Sequence, residues 1–204
     1  LFSILLFSCK KENKLEAEIA KIPVEIKVDR FDQKFAQATS ESLKHLQDEY
    51  PFFFPKNVAD SVWVEMLNDT IQNELEIEVA KAFPDLESET NELENAFRHF
   101  IYYFPEFKEP KVITIISEVD YRNKVIASDD KLLIGLDNYL GADHKFYVGI
   151  QDYIANNLKP ERISVDVVET YAKQLVNQPN DRTFLAQMVY YGKMLYLKDK
   201  ILPN

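Results

Sequence analysis

The sequence predicts an α+β domain, mostly helical with a small antiparallel or mixed sheet, and three observations predict it. Residues 111–141 hold three short β-type runs: Val112-Ile113-Thr114-Ile115-Ile116, Val125-Ile126, and Leu132-Leu133-Ile134-Gly135-Leu136. Polar residues 117–123 and the turn Ser128-Asp129-Asp130 separate them, as in a small meander. On both sides the apolar period lengthens to that of helices, which would cover such runs. Hydrophobic residues make up 46% of the chain and aromatics 13%, enough to build a core rather than a disordered polymer.

Taken in order, Leu1-Phe2-Ser3-Ile4-Leu5-Leu6-Phe7-Ser8-Cys9 is apolar and gives way at once to Lys10-Lys11-Glu12-Asn13-Lys14. That run is too short to cross a bilayer, which takes about 20 apolar residues. It has the character of the end of a signal peptide, and Leu6-Phe7-Ser8-Cys9 resembles a bacterial lipobox, in which the cysteine is acylated. Cys9 is the only cysteine of the chain, so no disulfide or paired-thiol metal site can form, and lipidation at Cys9 is the expectation. Several acyl chains would anchor the protein to a membrane without a spanning segment. Residues 1–9 then end the signal peptide, 10–22 form a charged tether, and 23–204 form a single α+β domain.

Pro23-Val24-Glu25-Ile26-Lys27-Val28 alternates with period two and predicts a half-buried strand. Helical spacing follows in Phe31, Phe35 and Ala38, then in Leu43 and Leu46, with Thr39 and Ser40 as a cap. Tyr50-Pro51-Phe52-Phe53-Phe54-Pro55 stops that helix, because proline disfavours the α region for the residue before it. Phe83-Pro84 and Phe104-Pro105 repeat the punctuation, and the rings are expected to anchor helix ends in the core. Further helices are predicted over 58–67, 70–83 and 86–104, the last with a stripe through Leu93, Phe97 and Phe100 that should lie on the sheet. Arg98 and His99 fall off that stripe and should face solvent. Asp143 and His144 read as a turn rather than an acid/base pair, since no nucleophile is patterned nearby. A helix opening at Pro160-Glu161-Arg162 should bury Val168, Tyr171, Ala172, Leu175 and Val176. The segment 181–198 is apolar on nearly every side and predicts a deeply buried helix, with Gly192 marking the close approach of another backbone.

The chain carries 24 basic and 34 acidic residues, a net charge of −10, without a basic patch. Nucleic acid is therefore excluded as a partner, and the body of the domain would be repelled by an anionic surface. No catalytic residue, cofactor site or metal site is patterned, and no small-molecule substrate is evident. The chain has only three histidines, His45, His99 and His144, all far apart in sequence.

Four phrases resemble the gliding-motility lipoprotein GldB family of Bacteroidetes. They are Val28-Asp29-Arg30-Phe31-Asp32, Tyr102-Tyr103-Phe104-Pro105-Glu106-Phe107, Ile134-Gly135-Leu136-Asp137-Asn138-Tyr139-Leu140-Gly141, and Leu185-Ala186-Gln187-Met188-Val189-Tyr190-Tyr191-Gly192-Lys193-Met194-Leu195-Tyr196. The resemblance implies a lipid-anchored protein of the cell envelope that supports the gliding and type IX secretion machinery, and a chain continuing past residue 204. A more distant likeness is to zincin metallopeptidases, which run from a covering helix through a small sheet to a helix bearing His-Glu-x-x-His. The counterpart here would be Val168-Glu169-Thr170-Tyr171-Ala172, which keeps the glutamate, but Val and Ala cannot bind zinc. A non-enzymatic envelope protein is the leading expectation. A zinc peptidase or peptidoglycan-acting hydrolase is the alternative, and a glycan-binding surface built on Phe52, Phe53, Phe104 and Tyr139 is a third.

Overall fold

The computed structural model describes residues 14–203, so Cys9 and the expected signal peptide lie outside the described residues. The described residues open with α1 (Lys14–Ile19), within the stretch expected to be a tether. Ile19 is 1% exposed, so from Lys14 onward this stretch is docked on the domain rather than free of it. Residues 23–28 form no strand, a departure from the alternating pattern. Their polar groups turn to a helix instead: Ile26 N–H donates to Glu94 Oε1 (3.1 Å), and the Val24 carbonyl accepts from Arg98. Only Asp29, at the end of this stretch, bridges in parallel to Ile113.

Five helices follow, α2 (Phe31–Ala36), α3 (Leu43–Glu49), α4 (Asp60–Leu67), α5 (Thr70–Ala82) and α6 (Glu87–Tyr103). Each ends close to where its punctuation predicts. Asp69 caps α5 by accepting the Gln72 N–H at 2.8 Å, and Phe83-Pro84 closes it. The strands are β1 (Lys111–Ile115), β2 (Val125–Ser128) and β3 (Lys131–Gly135), joined in the order β1-β3-β2. β2 and β3 form the expected antiparallel hairpin, turning at Asp129 with φ 48°. β1 pairs with β3 in parallel, from Lys111 opposite Lys131 to Ile115 opposite Gly135, so the sheet is mixed. β3 is thus the central strand, and its unbroken apolar run follows from cover on both faces.

Two cores meet at the sheet. On one side Leu93, Ala96, Phe97 and Phe100 of α6 pack with Val112, Leu132 and Ile134. On the other, Ile113 joins Phe31, Phe35, Leu43, Leu46, Tyr50 and Phe54, with Ile115 and Leu133 at the margin. Beyond β3 the chain makes a tight knot. The fully buried Asp137 carboxylate accepts the backbone N–H groups of Ser117 and Val119, and Tyr147 Oη donates to the Asp137 carbonyl at 2.7 Å. Those bonds hold Glu118 and Val119 at φ 55° and 57°, a region costly for a β-branched side chain. A Cβ at Gly135 would stand 2.6 Å from Ser117 Oγ and 2.9 Å from Asn138 Nδ2, so a larger residue would have to displace side chains of this knot.

The short α7 (Asp152–Ala155) leads to α8 (Ile163–Leu175) and α9 (Phe184–Ile201). α8 buries Val168 and Ala172 as expected, and Ile163 and Val167 as well, but Tyr171 and Val176 are only half-buried and Leu175 at its end is exposed. α9 departs from expectation. Tyr190, Met194 and Ile201 are buried, while Phe184 is 81%, Tyr191 62% and Leu195 67% exposed, with Leu185, Met188 and Tyr196 also open. At ~100° per residue the exposed apolar positions and Gly192 share one continuous arc of about 160°. Among the described residues no atom outside the neighbouring helix backbone comes within 4 Å of a Cβ built on Gly192, so no second backbone among them approaches it. No helix among the described residues is long and apolar enough to cross a membrane. The order α6, sheet, α8 matches that of the zincin likeness, but the architecture establishes nothing further of that layout.

Candidate functional site

An apolar concavity lies on the aromatic side of the sheet, between α2, the 52–54 turn, α4, α5 and the end of β1. Phe31 and Phe35, four apart on α2, point the same way and form one wall. Pro51 ends α3 just before the Phe52-Phe53-Phe54 turn, bringing Phe53 to 4.4 Å from Phe31 between ring centroids. Trp63 of α4 meets Phe54 edge-on at 4.9 Å, and Met66 and Ile115 complete an apolar cavity of about 140 Å³.

Two polar side chains reach this cavity, Asp32 and Gln72, each 5% exposed. Asp32 is fully engaged. Arg30 Nε and Nη2 donate to it at 3.0 and 2.8 Å in a fork, Thr114 Oγ1 donates at 2.5 Å, and Arg30 Nη1 continues to the Phe83 carbonyl. Gln72 is only half satisfied. Its Nε2 donates to Glu76 Oε1 at 2.8 Å, but its buried Oε1 accepts from no described residue. Burial pushes the Glu76 carboxyl up from its ordinary value; the Gln72 bond opposes the shift and the Asp32 charge adds to it.

Behind Phe31 lies a second polar cluster. Tyr50 Oη donates to Asp29 at 2.7 Å, and Lys34 and Lys111 pair with the same carboxylate at 3.0 and 2.8 Å. Lys34 also donates to Tyr50 Oη and pairs with Glu49. Burial alone would raise the Asp29 pKa, but the bonds from Lys111, Tyr50 and Lys34 outweigh it and hold it below the ordinary value. Burial pushes the Tyr50 phenol up to about 12, so it acts as a donor. Every charge here has an opposite at contact distance. The cluster fastens α2 and α3 to β1 and leaves no nucleophile beside a free base.

The residues considered for chemistry sit apart from this cavity. His99, expected in solvent, is 1% exposed because α1 covers it: its Nε2 lies 3.0 Å from Glu16 and its Nδ1 2.8 Å from the Asn95 carbonyl. His144 starts a short turn and sits 3.5 Å from Glu78, while His45 is exposed on α3. Val168 and Ala172 are wholly buried core residues. Glu169 pairs with both Lys173 and Lys198 at 2.9 Å; burial raises its pKa, but the two lysines more than offset this and bring it to about 2. Among the described residues no three His, Cys, Asp or Glu side chains are grouped to hold a metal ion. Tyr139 is fully buried with its Oη donating to Asp166, Phe53 and Phe104 are half-buried, and only Phe52, at 44%, is open, so these rings form no shared surface for a glycan.

Sequence reasoning missed the cavity. Its clearest signal was Gln72, a polar residue on the buried stripe of α5 that Leu75 and Val79 continue. Asp29, Arg30 and Asp32, noticed only as part of a family phrase, prove to be the polar frame around it.

A family model described as gliding motility protein GldB matches residues 12–204. No curated protein and no solved structure matches the chain.

Proposed function

The chain belongs to the GldB gliding-motility family, and from that premise we propose that it is a lipid-anchored protein of the cell envelope, acylated at Cys9, that supports the gliding and type IX secretion machinery without catalysis of its own. The family match across 12–204 is the observation that carries the role in gliding. Cys9 supports the anchor, since the only thiol of the chain stands where an apolar run meets a charged one. A non-catalytic role is supported by the helix that would carry His-Glu-x-x-His in a zincin. There the two ligand positions are core side chains without a lone pair, and the glutamate is neutralised by two lysines. The acidic surface fits a protein that meets proteins and holds its membrane through lipid.

Deleting the gene is expected to abolish colony spreading, and Cys9→Ala to release the protein from membranes and lose label from palmitate. Normal spreading in the deletion strain would overturn the role in gliding, and an unlabelled wild-type protein would overturn the anchor. Stoichiometric zinc in elemental analysis of the purified protein, lost in Glu169→Gln, would instead favour the hydrolase.

A further inference from the structure

We propose that the open arc of α9 lies on a lipid bilayer, the helix parallel to the membrane surface and its apolar side chains at the boundary between headgroups and acyl chains. Phe184, Leu185, Met188, Tyr191, Leu195 and Tyr196 are each between 55% and 81% exposed. Over roughly 18 Å of helix this arc holds no charged side chain and no amide. Single apolar side chains in water are ordinary, but a contiguous set of this size marks a contact with protein or membrane. The opposite edge of the helix is engaged by the domain: Tyr190, Met194 and Ile201 pack toward α8 and α6, which fixes α9 with its arc outward.

Two features favour lipid over a protein partner. A protein interface carries about one hydrogen bond per 100–200 Å², and this arc offers only the hydroxyls of Tyr191 and Tyr196. A bilayer asks for no such bonds, and tyrosine, apolar along its ring and polar at its tip, suits the wet edge of a membrane. The second feature is charge. Acidic residues outnumber basic ones 34 to 24 in the chain, yet α9 holds three lysines and one acid, Asp199, which ends the arc four residues past Leu195. At ~100° per residue Lys193 and Lys200 fall beyond one edge of the arc and Lys198 beyond the other. Lysine stems can cross an apolar boundary while their ammonium groups stay level with lipid phosphates. Lys198 is held by Glu169 at 2.9 Å, and Lys200 Nζ lies 5.4 Å from the Tyr196 ring centre, so the pair to meet phosphate is Lys193 and Lys200. The inference rests on the lipid-anchored reading for the nearness of a membrane, and adds a contact that needs no acyl chain.

Cys9→Ala combined with Leu195→Cys leaves a single thiol, on the arc, and removes the acylation site. Labelled there with bimane and mixed with vesicles of phosphatidylethanolamine and phosphatidylcholine, the full chain is expected to show a saturable blue shift and quenching by lipids that carry a nitroxide on the acyl chain. The same label at His45→Cys, exposed on α3, is expected to stay unquenched. Adding Leu185→Asp, at an exposed position of the arc, should weaken vesicle binding by roughly tenfold or more. Emission at position 195 that vesicles leave unchanged overturns the proposal, even where the chain sediments with them through its apolar first nine residues, and so does equal quenching at 45 and 195. A blue shift that grows with protein concentration in the absence of vesicles assigns the arc to a second copy of the chain and also overturns it. Palmitate labelling of the wild-type protein is untouched by any of these results, so the anchor stands or falls separately.

Discussion

α6 and α9 are nearly equal in length, 17 and 18 residues, and their surroundings reverse what their compositions suggest. α6 is the more polar helix, yet Leu93, Ala96, Phe97 and Phe100 are at most 2% exposed. α9 is the more apolar, yet most of its large side chains stand in solvent. The difference lies in what stands opposite. α6 concentrates its apolar residues on one stripe, and the sheet, α8 and the loop ring of Phe107 close over it. α9 spreads its apolar residues all round, and among the described residues its main neighbours, α8 and α6, meet it along the edge carrying Tyr190, Met194 and Ile201. Apolar area stabilises a fold only when a second surface removes it from water.

Five substitutions break or sharpen that contrast. The largest effect belongs to α6: Phe97→Ala, which also removes ring contacts with Phe107 and Tyr171, should cost about 3–5 kcal/mol in chemical denaturation. On α9, Met194→Ala on the buried edge should cost about 2 kcal/mol or more, whereas Leu195→Ala on the open arc should stay within ~0.5 kcal/mol. A large loss at Leu195 would mean that the arc is covered in solution.

Gly192→Ala should raise stability by up to ~1 kcal/mol, because alanine is the better helix former and the added methyl meets nothing. A loss there would restore the close approach that the glycine suggested in the sequence. The smallest effect is electrostatic. Glu169 joins α8 to α9 through Lys198, and its folded pKa of about 2 lies below the ordinary 4.5. Its contribution is therefore complete above pH 4.5 and is lost as pH falls from 4.5 toward 2. The carboxylate is about one-third exposed, so solvent limits that contribution to roughly 1 kcal/mol. Lys198→Met should flatten the acid limb of the stability curve by part of that amount, and an unchanged limb would remove the ion pair from the account.

How much of this was legible follows the range of each signal. α5 is predicted over 70–83 and runs Thr70–Ala82, and α6 is predicted over 86–104 and runs Glu87–Tyr103. Caps, prolines and the 3.6-residue period act within a few residues of themselves. The parallel pairing of β1 with β3 left no such mark, since strand order depends on which edges meet. His99 illustrates the same limit. It lies off the apolar stripe of α6, and only α1, some eighty residues earlier, encloses it. The cavity was half legible: Phe31, Phe35 and the Phe52-Phe53-Phe54 run marked an aromatic cluster, but Gln72 was unremarkable until the helices around it were placed.

By itself, then, the sequence determined most of the helices and the three strands of the sheet and nearly where they stop, though not α1 nor the absence of a strand over 23–28. The tertiary structure alone decided the sheet order, the burial of His99, the exposure of α9 and the unpaired acceptor at Gln72. The physical reason is that propensity and turn chemistry belong to single residues and their near neighbours, while burial and hydrogen-bond satisfaction belong to pairs of surfaces that the chain brings together from far apart.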